Sequence, residues 1–361
     1  MNTYRKPARK LEGIKPYDPK SMPAKVVLSA NESPYQAPSE LHRAIQSCVG
    51  AASLNRYPDP LAETLRRTIA QAHNLAPDQV LVGNGGDELL FNFVLAWGGA
   101  GRIFLNMPPT FSVYEHNARI TDTRVVSIPR KADFSINEEA VCDRVAFGDI
   151  DFIVVTSPNN PTGNTADPSF IKRLLESSDA MVLVDEAYFE FAGATVLPWL
   201  NRYKNLAILR TLSKAYGLAG VRLGYLLAHA DVISELLKVR QPYSVDTVSQ
   251  LIGTCVLEQR AAFDRHIAAT IDQRDLVFEA LGKMGGVRPY PSDANFILFR
   301  LENASKVWES LYSRGVLVRD FSRERGLKNC LRVTIGTPDE NRCFLDVLED
   351  ILAQEGDSHG K

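Results

Sequence analysis

The sequence predicts an α/β protein, with a large domain built on a mostly parallel sheet and a smaller α+β domain. Three observations predict this fold class. Seven short apolar runs, suited to β-strands, lie between residues 80 and 228. Most of these runs are continuous rather than alternating, which is typical of strands that are buried on both faces. Helical patterns separate many of them, and strands that alternate with helices favour a parallel sheet covered by helices on both sides.

The elements of the large domain follow from these patterns in chain order. The predicted strands are 80–82, 103–105, 123–128, 152–156, 181–184, 206–209 and 225–228. A helix is predicted over 61–70, where apolar residues recur at every fourth position. Further helices are predicted over 88–97, 168–177 and 231–240.

The chain divides into three predicted parts. Residues 1–36 are rich in proline, lysine and polar groups and form an extended arm, with one apolar run at 26–29, that we expect to join the small domain. Residues 37–245 form the large domain, and residues 246–361 form a long helical connection and the small α+β domain. The predicted elements of this last part are a helix over 244–284, a strand over 295–299, a helix over 304–314, strands over 316–318 and 331–335, and a helix that begins near Pro338.

Composition argues against several classes of protein. The 361 residues include 41 basic and 43 acidic side chains, so no basic surface for nucleic acid or an acidic membrane is predicted. No stretch approaches the ~20 apolar residues that cross a bilayer, and the N-terminus lacks an apolar stretch of signal-peptide length, so we expect a cytoplasmic protein. The five cysteines are widely spaced, and the six histidines form no HxH or HExxH pattern. This predicts free thiols and no metal site.

A lysine that directly follows a predicted strand carries the most informative chemical signal. Ser213 and Lys214 are flanked by small and hydroxylic residues, and Arg222 lies eight positions after the lysine. A lysine becomes a nucleophile toward an aldehyde when burial or a nearby cation lowers its pKa. Arg222 could supply that cation or bind a phosphate. A lone lysine at a strand end is otherwise structural or exposed.

Polar residues also follow two neighbouring predicted strands. Asn160 lies in the segment after one strand, and Asp185 and Tyr188 lie directly after the next. Because ligands bind beyond the carboxyl ends of the strands in an open α/β sheet, these side chains and Lys214 are expected to meet at one edge of the sheet. Taken alone, the segment that contains Asn160 also fits a turn, and the segment that contains Asp185 also fits a helix cap.

A glycine-rich segment, 83–88, stands between a predicted strand and a predicted helix. Backbone N–H groups at the beginning of a helix can bind a phosphate. The segment matches neither the dinucleotide-binding pattern nor the P-loop pattern.

The order of these segments resembles that of the fold-type I pyridoxal-phosphate (PLP) aminotransferases. The resemblance extends over roughly residues 11–350, and the segments that carry it are 83–88, 109–111, 157–163, 185–188, 211–224, 294–296 and 331–337. Within this group, segments 15–17, 28–34 and 56–60 look most like those of histidinol-phosphate aminotransferases. The resemblance implies a seven-stranded sheet in the large domain, a PLP cofactor and a homodimer. It also implies an enzyme of histidine biosynthesis that transfers an amino group from histidinol phosphate to 2-oxoglutarate. In the reverse direction, glutamate would be the amino donor.

The resemblance further implies catalytic and cofactor-binding roles. Lys214 would hold PLP as a Schiff base and move a proton, and Asp185 would pair with the pyridinium nitrogen. Asn160 and Tyr188 would hydrogen-bond the 3′ oxygen of the ring, and Tyr188 is counted with Lys214 and Asp185 as catalytic. The implied contact of Phe111 is to stack on the ring, and that of Tyr57 is to reach the cofactor phosphate of the neighbouring subunit. The implied contacts of the cofactor phosphate within the subunit are the amides of Gly85, Gly86 and Asp87 and the side chains of Thr211, Ser213 and Arg222.

On the substrate side, the resemblance implies that Arg332 binds the carboxylate of glutamate or 2-oxoglutarate through both arms of its guanidinium. The other implied substrate contacts are Tyr17, Asn31, Asn295 and Arg319. Arg332 could instead pair with a core carboxylate.

Two cofactor contacts also have plainer alternatives, and two positions differ from the family. Phe111 could belong to the core, and Tyr57 could be a turn residue. Phe111 stands where the family often has tyrosine, but keeps the stacking face. Gly86 replaces a residue that is often alanine or a small hydroxylic one, but keeps the backbone amide.

Other functions fit part of the same pattern. An aromatic amino acid aminotransferase and a decarboxylase of a phosphorylated amino acid, such as threonine phosphate, would share the fold and the cofactor. An inactive regulator of the same fold is disfavoured. The residues expected to carry the chemistry are all present, and no helix-turn-helix segment or basic extension is appended.

Overall fold

Two sheets organise the chain. The computed structural model describes residues 5–16, 18, 20 and 22–359. The strands are β1 Val26–Leu28, β2 Val80–Asn84, β3 Ile103–Asn106, β4 Arg124–Ser127, β5 Phe152–Thr156, β6 Met181–Asp185, β7 Leu206–Thr211, β8 Leu223–Ala228, β9 Arg288–Pro289, β10 Phe296–Arg300, β11 Val316–Asp320 and β12 Cys330–Thr334. The helices are α1 Ser39–Gly50, α2 Glu63–His73, α3 Gly85–Trp97, α4 Val113–Ile120, α5 Glu138–Val145, α6 Pro168–Ser177, α7 Phe189–Ala192, α8 Ala230–Val239, α9 Thr247–Glu258, α10 Asp264–Lys283, α11 Ala304–Ser313 and α12 Pro338–His359.

The large sheet has seven strands in the order β2-β8-β7-β6-β5-β3-β4. β8 runs antiparallel to both of its neighbours, and all other neighbouring strands are parallel. Each strand lies on one of the seven predicted apolar runs, so the predicted fold class is confirmed. Every residue of β5, β6 and β7 is buried. Hydrophobic clusters cover both faces of the sheet, and this explains why the runs are continuous rather than alternating.

The small sheet has the order β1-β11-β12-β10-β9. β1 comes from the predicted arm and pairs in parallel with β11, whereas β12 is antiparallel to β10 and β11. Residues of α10, α11 and α12 pack with this sheet in one hydrophobic cluster. The division of the chain at residues 36 and 245 stays a prediction.

The single helix predicted over 244–284 is wrong, because the chain is interrupted between α9 and α10. A 3₁₀ turn, Arg260–Phe263, separates the two helices. Phe263 is buried, and its ring packs edge-on against Tyr216 with the centroids 5.4 Å apart. Tyr216 lies in the segment after β7, so the contact joins distant parts of the chain and leaves no trace in the local periodicity. The helices α1, α4 and α5 and the two-residue strand β9 were also not predicted from the sequence patterns.

None of the helices in the described ranges is both long enough and apolar enough to cross a membrane. Within the same ranges, no cluster of three or more His, Cys, Asp and Glu side chains could hold a metal ion.

A buried ion pair joins the ends of two central strands. Arg210 donates from Nε and Nη2 to Glu186 Oε2, at 3.0 and 2.7 Å, and both side chains are 2% exposed. The Glu186 carboxylate also accepts from the Thr195 hydroxyl and the Val196 N–H, each at 2.9 Å. Glu186 directly follows β6, and Arg210 is the last but one residue of β7. The pair therefore fixes the two strand ends relative to each other.

We expect Arg210→Met to destabilise the protein strongly, because it leaves the Glu186 carboxylate buried without its cation. Breaking a buried pair in this way costs about 3–5 kcal/mol in the free energy of unfolding. The control, Arg67→Met, breaks a pair with Glu63 in which the side chains are 69% and 53% exposed, and should cost less than about 1 kcal/mol. Urea unfolding of both variants measures the difference, and equal losses would contradict a structural role for the buried pair.

Candidate active site

A cavity of about 670 Å³ lies at the carboxyl ends of the parallel strands of the large sheet and is also lined by the small sheet. This is the edge at which the sequence predicted a ligand site. The predicted site residues that line it are Asn31, Gly86, Asp87, Phe111, Asn160, Asp185, Tyr188, Thr211, Ser213, Lys214, Arg222, Arg319 and Arg332. The strand topology thus brings together side chains that are up to 301 positions apart in the sequence.

Three predicted site residues within the described ranges, Gly85, Asn295 and Tyr57, do not line the cavity. Asn295 is 1% exposed and donates from Nδ2 to the backbone oxygen of Asn31 at 3.1 Å, so it supports the cavity wall from behind. The Tyr57 ring is 83% exposed and stacks on Tyr243, with the centroids 4.7 Å apart. Tyr17 lies outside the described residues.

One end of the cavity is suited to an anion. α3 begins at Gly85, and the first N–H groups of a helix have no acceptor within it. Arg222 donates from Nη2 to Asp87 at 3.2 Å, and the Thr211 and Ser213 hydroxyls are 3.0 Å apart. Gly85 has a φ of +79°, and a Cβ at this position would lie 2.6 Å from Arg222 Nη2. Helix amides, two hydroxyls and a guanidinium are therefore gathered where a phosphate could bind.

Lys214 stands beside this anion site. Its Nζ donates to the backbone oxygen of Ala30 at 3.0 Å. Burial lowers the pKa of the Lys214 amine to about 8, and the Arg332 guanidinium acts in the same direction, whereas the carboxylates of Glu32 and Asp87 oppose it. A substantial fraction of the amine is therefore neutral near physiological pH, and the neutral amine is the nucleophilic form.

Asp185 lies at the end of β6 and is 5% exposed. Its Oδ2 accepts from the Tyr114 hydroxyl at 2.6 Å, and its Oδ1 accepts from the Ala187 N–H at 3.0 Å. Burial raises the pKa of the Asp185 carboxyl to about 6, although both hydrogen bonds lower it. Tyr114 was not predicted as a site residue, because the helix α4 that carries it was not predicted from the sequence.

The middle of the cavity holds three further predicted residues. The Tyr188 hydroxyl accepts from Asn31 Nδ2 at 2.9 Å, and both residues are buried. The oxygen of the Asn160 side chain accepts from Arg332 Nη1. Phe111 packs edge-on against Tyr114, with ring centroids 5.6 Å apart. The cavity thus has an aromatic wall and two polar groups between the anion site and the small sheet.

Comparison with known proteins identifies the family. A sequence model described as aminotransferase class I and II matches residues 23–348. The chain is 40% identical over 340 residues to histidinol-phosphate aminotransferase 1 of Carboxydothermus hydrogenoformans, a match that covers 94% of this chain and 96% of that protein. It is 36% identical over 343 residues to the histidinol-phosphate aminotransferase of Caldanaerobacter subterraneus subsp. tengcongensis, with 95% and 97% covered. This chain belongs to the class I and II aminotransferase family.

The fold of this aminotransferase agrees with that of a solved structure. Histidinol-phosphate aminotransferase from Sinorhizobium meliloti, in complex with pyridoxal 5′-phosphate, is similar with a TM-score of 0.88 and covers 98% of this chain and 99% of its own. The two sequences are 20% identical, so this likeness concerns the fold. The fold-type I architecture expected from the sequence is confirmed.

Pyridoxal 5′-phosphate is the cofactor of this PLP-dependent transaminase, and the cavity residues fit it. The anion site suits its phosphate, the Lys214 amine suits its aldehyde, and the buried Asp185 carboxylate suits its ring nitrogen. The Arg222 guanidinium fills the space in front of Gly85. The amides at the start of α3 and this cation therefore lie on the same side of the cavity. When bound, the cofactor supplies an electron sink for the amino-group carbon.

We expect Gly85→Ala to weaken PLP binding by about tenfold to a hundredfold, because the new Cβ would displace Arg222 and weaken a charge-assisted hydrogen bond of about 1.5–3 kcal/mol. Titration of the apoprotein with PLP measures the effect. The matched control is Gly148→Ala, which has a similar φ of +72° but meets no atom within 4 Å. Unchanged PLP affinity in Gly85→Ala would contradict the assignment of the anion site.

We expect the rate at which PLP attaches covalently to the apoprotein to rise with pH and to reach half its maximum near pH 8. The reason is that the neutral Lys214 amine reacts, and the pKa of this amine is lowered to about 8 from 10.5. Absorbance stopped-flow measures the rate, and borohydride reduction followed by peptide mass mapping locates the attachment. Lys214→Ala should show no attachment, and a midpoint above pH 10 in the unchanged protein would contradict the lowered pKa.

Proposed function

We propose that this aminotransferase moves an amino group between histidinol phosphate and 2-oxoglutarate, as a step of histidine biosynthesis. The names of both relatives described above support this substrate. The observation that carries the proposal is a pair of arginines on the small-sheet side of the cavity, separate from the anion site that suits the cofactor phosphate.

Arg319 and Arg332 form this pair. They lie opposite each other in the antiparallel register of β11 and β12, and both line the cavity. Side chains that are paired in this way share one face of the sheet, with Cβ atoms about 4.5–5.5 Å apart. Arg332 is 5% exposed and donates from Nη2 to the backbone oxygen of Ser29 at 2.7 Å. Two guanidinium groups that line one cavity from the same face of the sheet carry like charges, so an anion that contacts both is favoured.

The charge of this arginine pair separates the candidate amino donors. Histidinol phosphate carries a phosphate dianion and no carboxylate, and glutamate carries two carboxylates. Either matches two guanidinium groups, whose planar forks pair with phosphate and carboxylate oxygens alike. Phenylalanine and tyrosine offer one carboxylate and match only half of the charge. We therefore place the aromatic aminotransferase second.

The same proposal assigns the remaining roles. Lys214 Nζ binds the cofactor and moves a proton to and from the substrate carbon, and Asp185 holds the ring nitrogen. Because the Asn160 oxygen accepts from Arg332, its Nδ2 is the group that can donate to the 3′ oxygen of the ring, together with the Tyr188 hydroxyl. Phe111 stacks on the ring, and Asn31 and Arg319 contact the substrate, with Asn295 acting only through Asn31. The phosphate of the cofactor is bound by Gly85, Gly86, Asp87, Thr211, Ser213 and Arg222.

A panel of amino donors tests the proposed function. Histidinol phosphate, phenylalanine, tyrosine, aspartate and threonine phosphate are each supplied with 2-oxoglutarate, and both glutamate and carbon dioxide are measured. We expect kcat/KM for histidinol phosphate to exceed that for phenylalanine by about a hundredfold, because a hydrogen bond to a charged group contributes about 1.5–3 kcal/mol. Lys214→Ala is the inactive control. Carbon dioxide from threonine phosphate without glutamate would instead indicate a decarboxylase.

We expect Arg332→Lys to raise KM for glutamate and 2-oxoglutarate strongly, because the lysine keeps the charge but loses the fork, at a cost of about 2–5 kcal/mol for a desolvated pair. The effect on histidinol phosphate should be smaller, since Arg319 shares its phosphate. Half-reaction titrations with each donor separate the two effects. Equal losses for both donors would contradict a specific role for Arg332 in binding the carboxylate.

We also propose an obligate homodimer in which Tyr57 serves the active site of the neighbouring subunit. Tyr57 and Leu54 are 83% and 71% exposed and lie close together in the chain, and Tyr57 stacks on the half-exposed Tyr243. Exposed apolar groups of this kind favour a protein interface. An obligate interface is expected to bury more than about 2,000 Å².

Subunit mixing tests the composite site. If Tyr57 serves the neighbour, a heterodimer of Tyr57→Ala and Lys214→Ala contains one site with both native residues. Unfolding and refolding the two variants together should therefore restore activity that neither has alone. Light scattering at the assay concentration gives the oligomeric state, and an active monomer would contradict the proposal.

We propose further that the enzyme works in the cytoplasm with small-molecule substrates and without nucleic-acid or membrane partners. The support is the even balance of 41 basic and 43 acidic residues and the five free cysteines, which suit a reducing compartment.

A further inference from the structure

A tyrosine without an assigned role lies against the Asp185 carboxylate. Tyr114, on α4, is 2% exposed, and its hydroxyl donates to Asp185 Oδ2 at 2.6 Å. The same hydroxyl accepts from Thr156 Oγ1, at the end of β5, at 2.9 Å. The other carboxylate oxygen accepts from the Ala187 N–H at 3.0 Å. The carboxylate is therefore held by donors from two different parts of the fold.

We propose that Tyr114 is a positioning residue that keeps Asp185 an ionised and weakly basic carboxylate directed at the ring nitrogen of the cofactor. The inference rests on the role proposed above for Asp185. It deepens that role, because it names the group that controls how strongly this carboxylate competes for the proton on the ring nitrogen.

The electrostatic surroundings explain why such a donor is needed. Burial raises the pKa of Asp185, and the negative charges of Asp87 and Glu186 act in the same direction, whereas the hydrogen bonds from Tyr114 and Ala187 lower it. A hydrogen bond donated to the ionised form makes a carboxylate a weaker proton acceptor. The proton between Asp185 and the ring nitrogen is then held on the ring, where electron withdrawal requires it.

Tyr114 is well suited to remain a donor. Burial and the adjacent Asp185 charge raise the pKa of its phenol well above the usual value. The charged groups near it are Asp185 and the buried guanidinium of Arg130. The phenol thus stays protonated over the whole working range of pH and continues to donate its hydrogen bond.

A chain of hydroxyls fixes the position of Tyr114. Thr156 Oγ1 lies 3.3 Å from Thr110 Oγ1, which in turn donates to Asn159 Oδ1 at 2.7 Å. Thr110 directly precedes Phe111, so one short segment places both the aromatic wall of the cavity and the donor to Asp185. Hydrogen bonds in such chains polarise one another, and the bond from Thr156 makes the Tyr114 hydroxyl a better donor.

The test is Tyr114→Phe, studied with PLP labelled with ¹⁵N in the ring. The variant keeps the buried ring and removes only the hydroxyl. We expect the ¹⁵N shift of the bound cofactor to move toward the value of an unprotonated ring, and Kd for PLP to rise about fivefold to tenfold, since one hydrogen bond to a charged group is weakened. The matched control is Tyr225→Phe on β8, which is also 2% exposed and whose hydroxyl lies 3.0 Å from His73 Nε2. It should lower thermal stability without changing the shift or Kd.

Two further variants separate the possible outcomes. In Asp185→Asn, adding Tyr114→Phe should change neither the ¹⁵N shift nor Kd, because Tyr114 acts through the carboxylate; additive effects would overturn the inference. If Tyr114→Phe does not fold, Thr156→Val should move the shift in the same direction by a smaller amount. An unchanged ¹⁵N shift in a folded Tyr114→Phe variant, or in Thr156→Val, overturns the inference about Tyr114 but not the proposed role of Asp185. A wild-type shift in Asp185→Asn overturns the proposed role of Asp185 as well.

Discussion

The ion pair between Glu186 and Arg210 is the interaction on which the geometry of the site depends. β6 and β7 are parallel with Asp185 opposite Leu209, and the ion pair joins the residues directly after these two. Asp185 and Tyr188 lie within two positions of Glu186, and Thr211, Ser213 and Lys214 lie within four of Arg210. Burying two charges is costly unless each is fully hydrogen-bonded, and here Thr195 and Val196 complete the bonding of the carboxylate. Lys214 and Asp185, which both line the cavity, are therefore held in a fixed relative position across the sheet.

Burial then tunes the chemistry of these groups. It lowers the pKa of Lys214 to about 8 and raises that of Asp185 to about 6, so both values move toward neutrality from opposite sides. Opposed shifts of this kind suit a site in which protons are transferred near pH 7. Neighbouring groups oppose both shifts: the carboxylates of Glu32 and Asp87 favour the charged Lys214 amine, and the hydrogen bond from Tyr114 favours the charged Asp185 carboxylate.

The two sheets contribute different kinds of anion recognition. The large sheet offers the N-terminus of α3 with Arg222, in which backbone dipoles and one cation suit a permanently bound phosphate. The small sheet offers Arg319 and Arg332 on neighbouring strands, in which two planar forks can adapt to different anions. Arg332 also joins the two parts of the fold, because it donates both to Asn160 beyond β5 and to the backbone of Ser29 beside β1. An anion bound by this arginine would thus be linked through one hydrogen bond to Asn160 in the middle of the cavity.

Much of the fold and of the site could be predicted from the sequence, because both are local in origin. A strand buried on both faces must be continuously apolar, so the seven runs marked the seven strands. Parallel strands end at one edge, so polar residues that follow such runs within a few positions, such as Asp185 and Lys214, were expected to meet there. The glycine at position 85 is also a local requirement, since its backbone has a φ of +79°.

Only the tertiary structure decided which distant side chains meet. Tyr114 reaches Asp185 across 71 positions of sequence, and Asn295 reaches Asn31 across 264. The first contact adds Tyr114 to the site. The second shows that Asn295, a predicted substrate contact, lies behind the cavity wall and supports Asn31. The packing of Phe263 on Tyr216 similarly divides a helix that looks continuous in the sequence. The sequence alone determined the seven strands of the large sheet, the order of the polar segments and the identity of the polar groups that follow the strands. The pairing of Arg319 with Arg332 and the hydrogen bond of Tyr114 depend on strand register and helix packing, and such single contacts leave no periodic pattern in the chain.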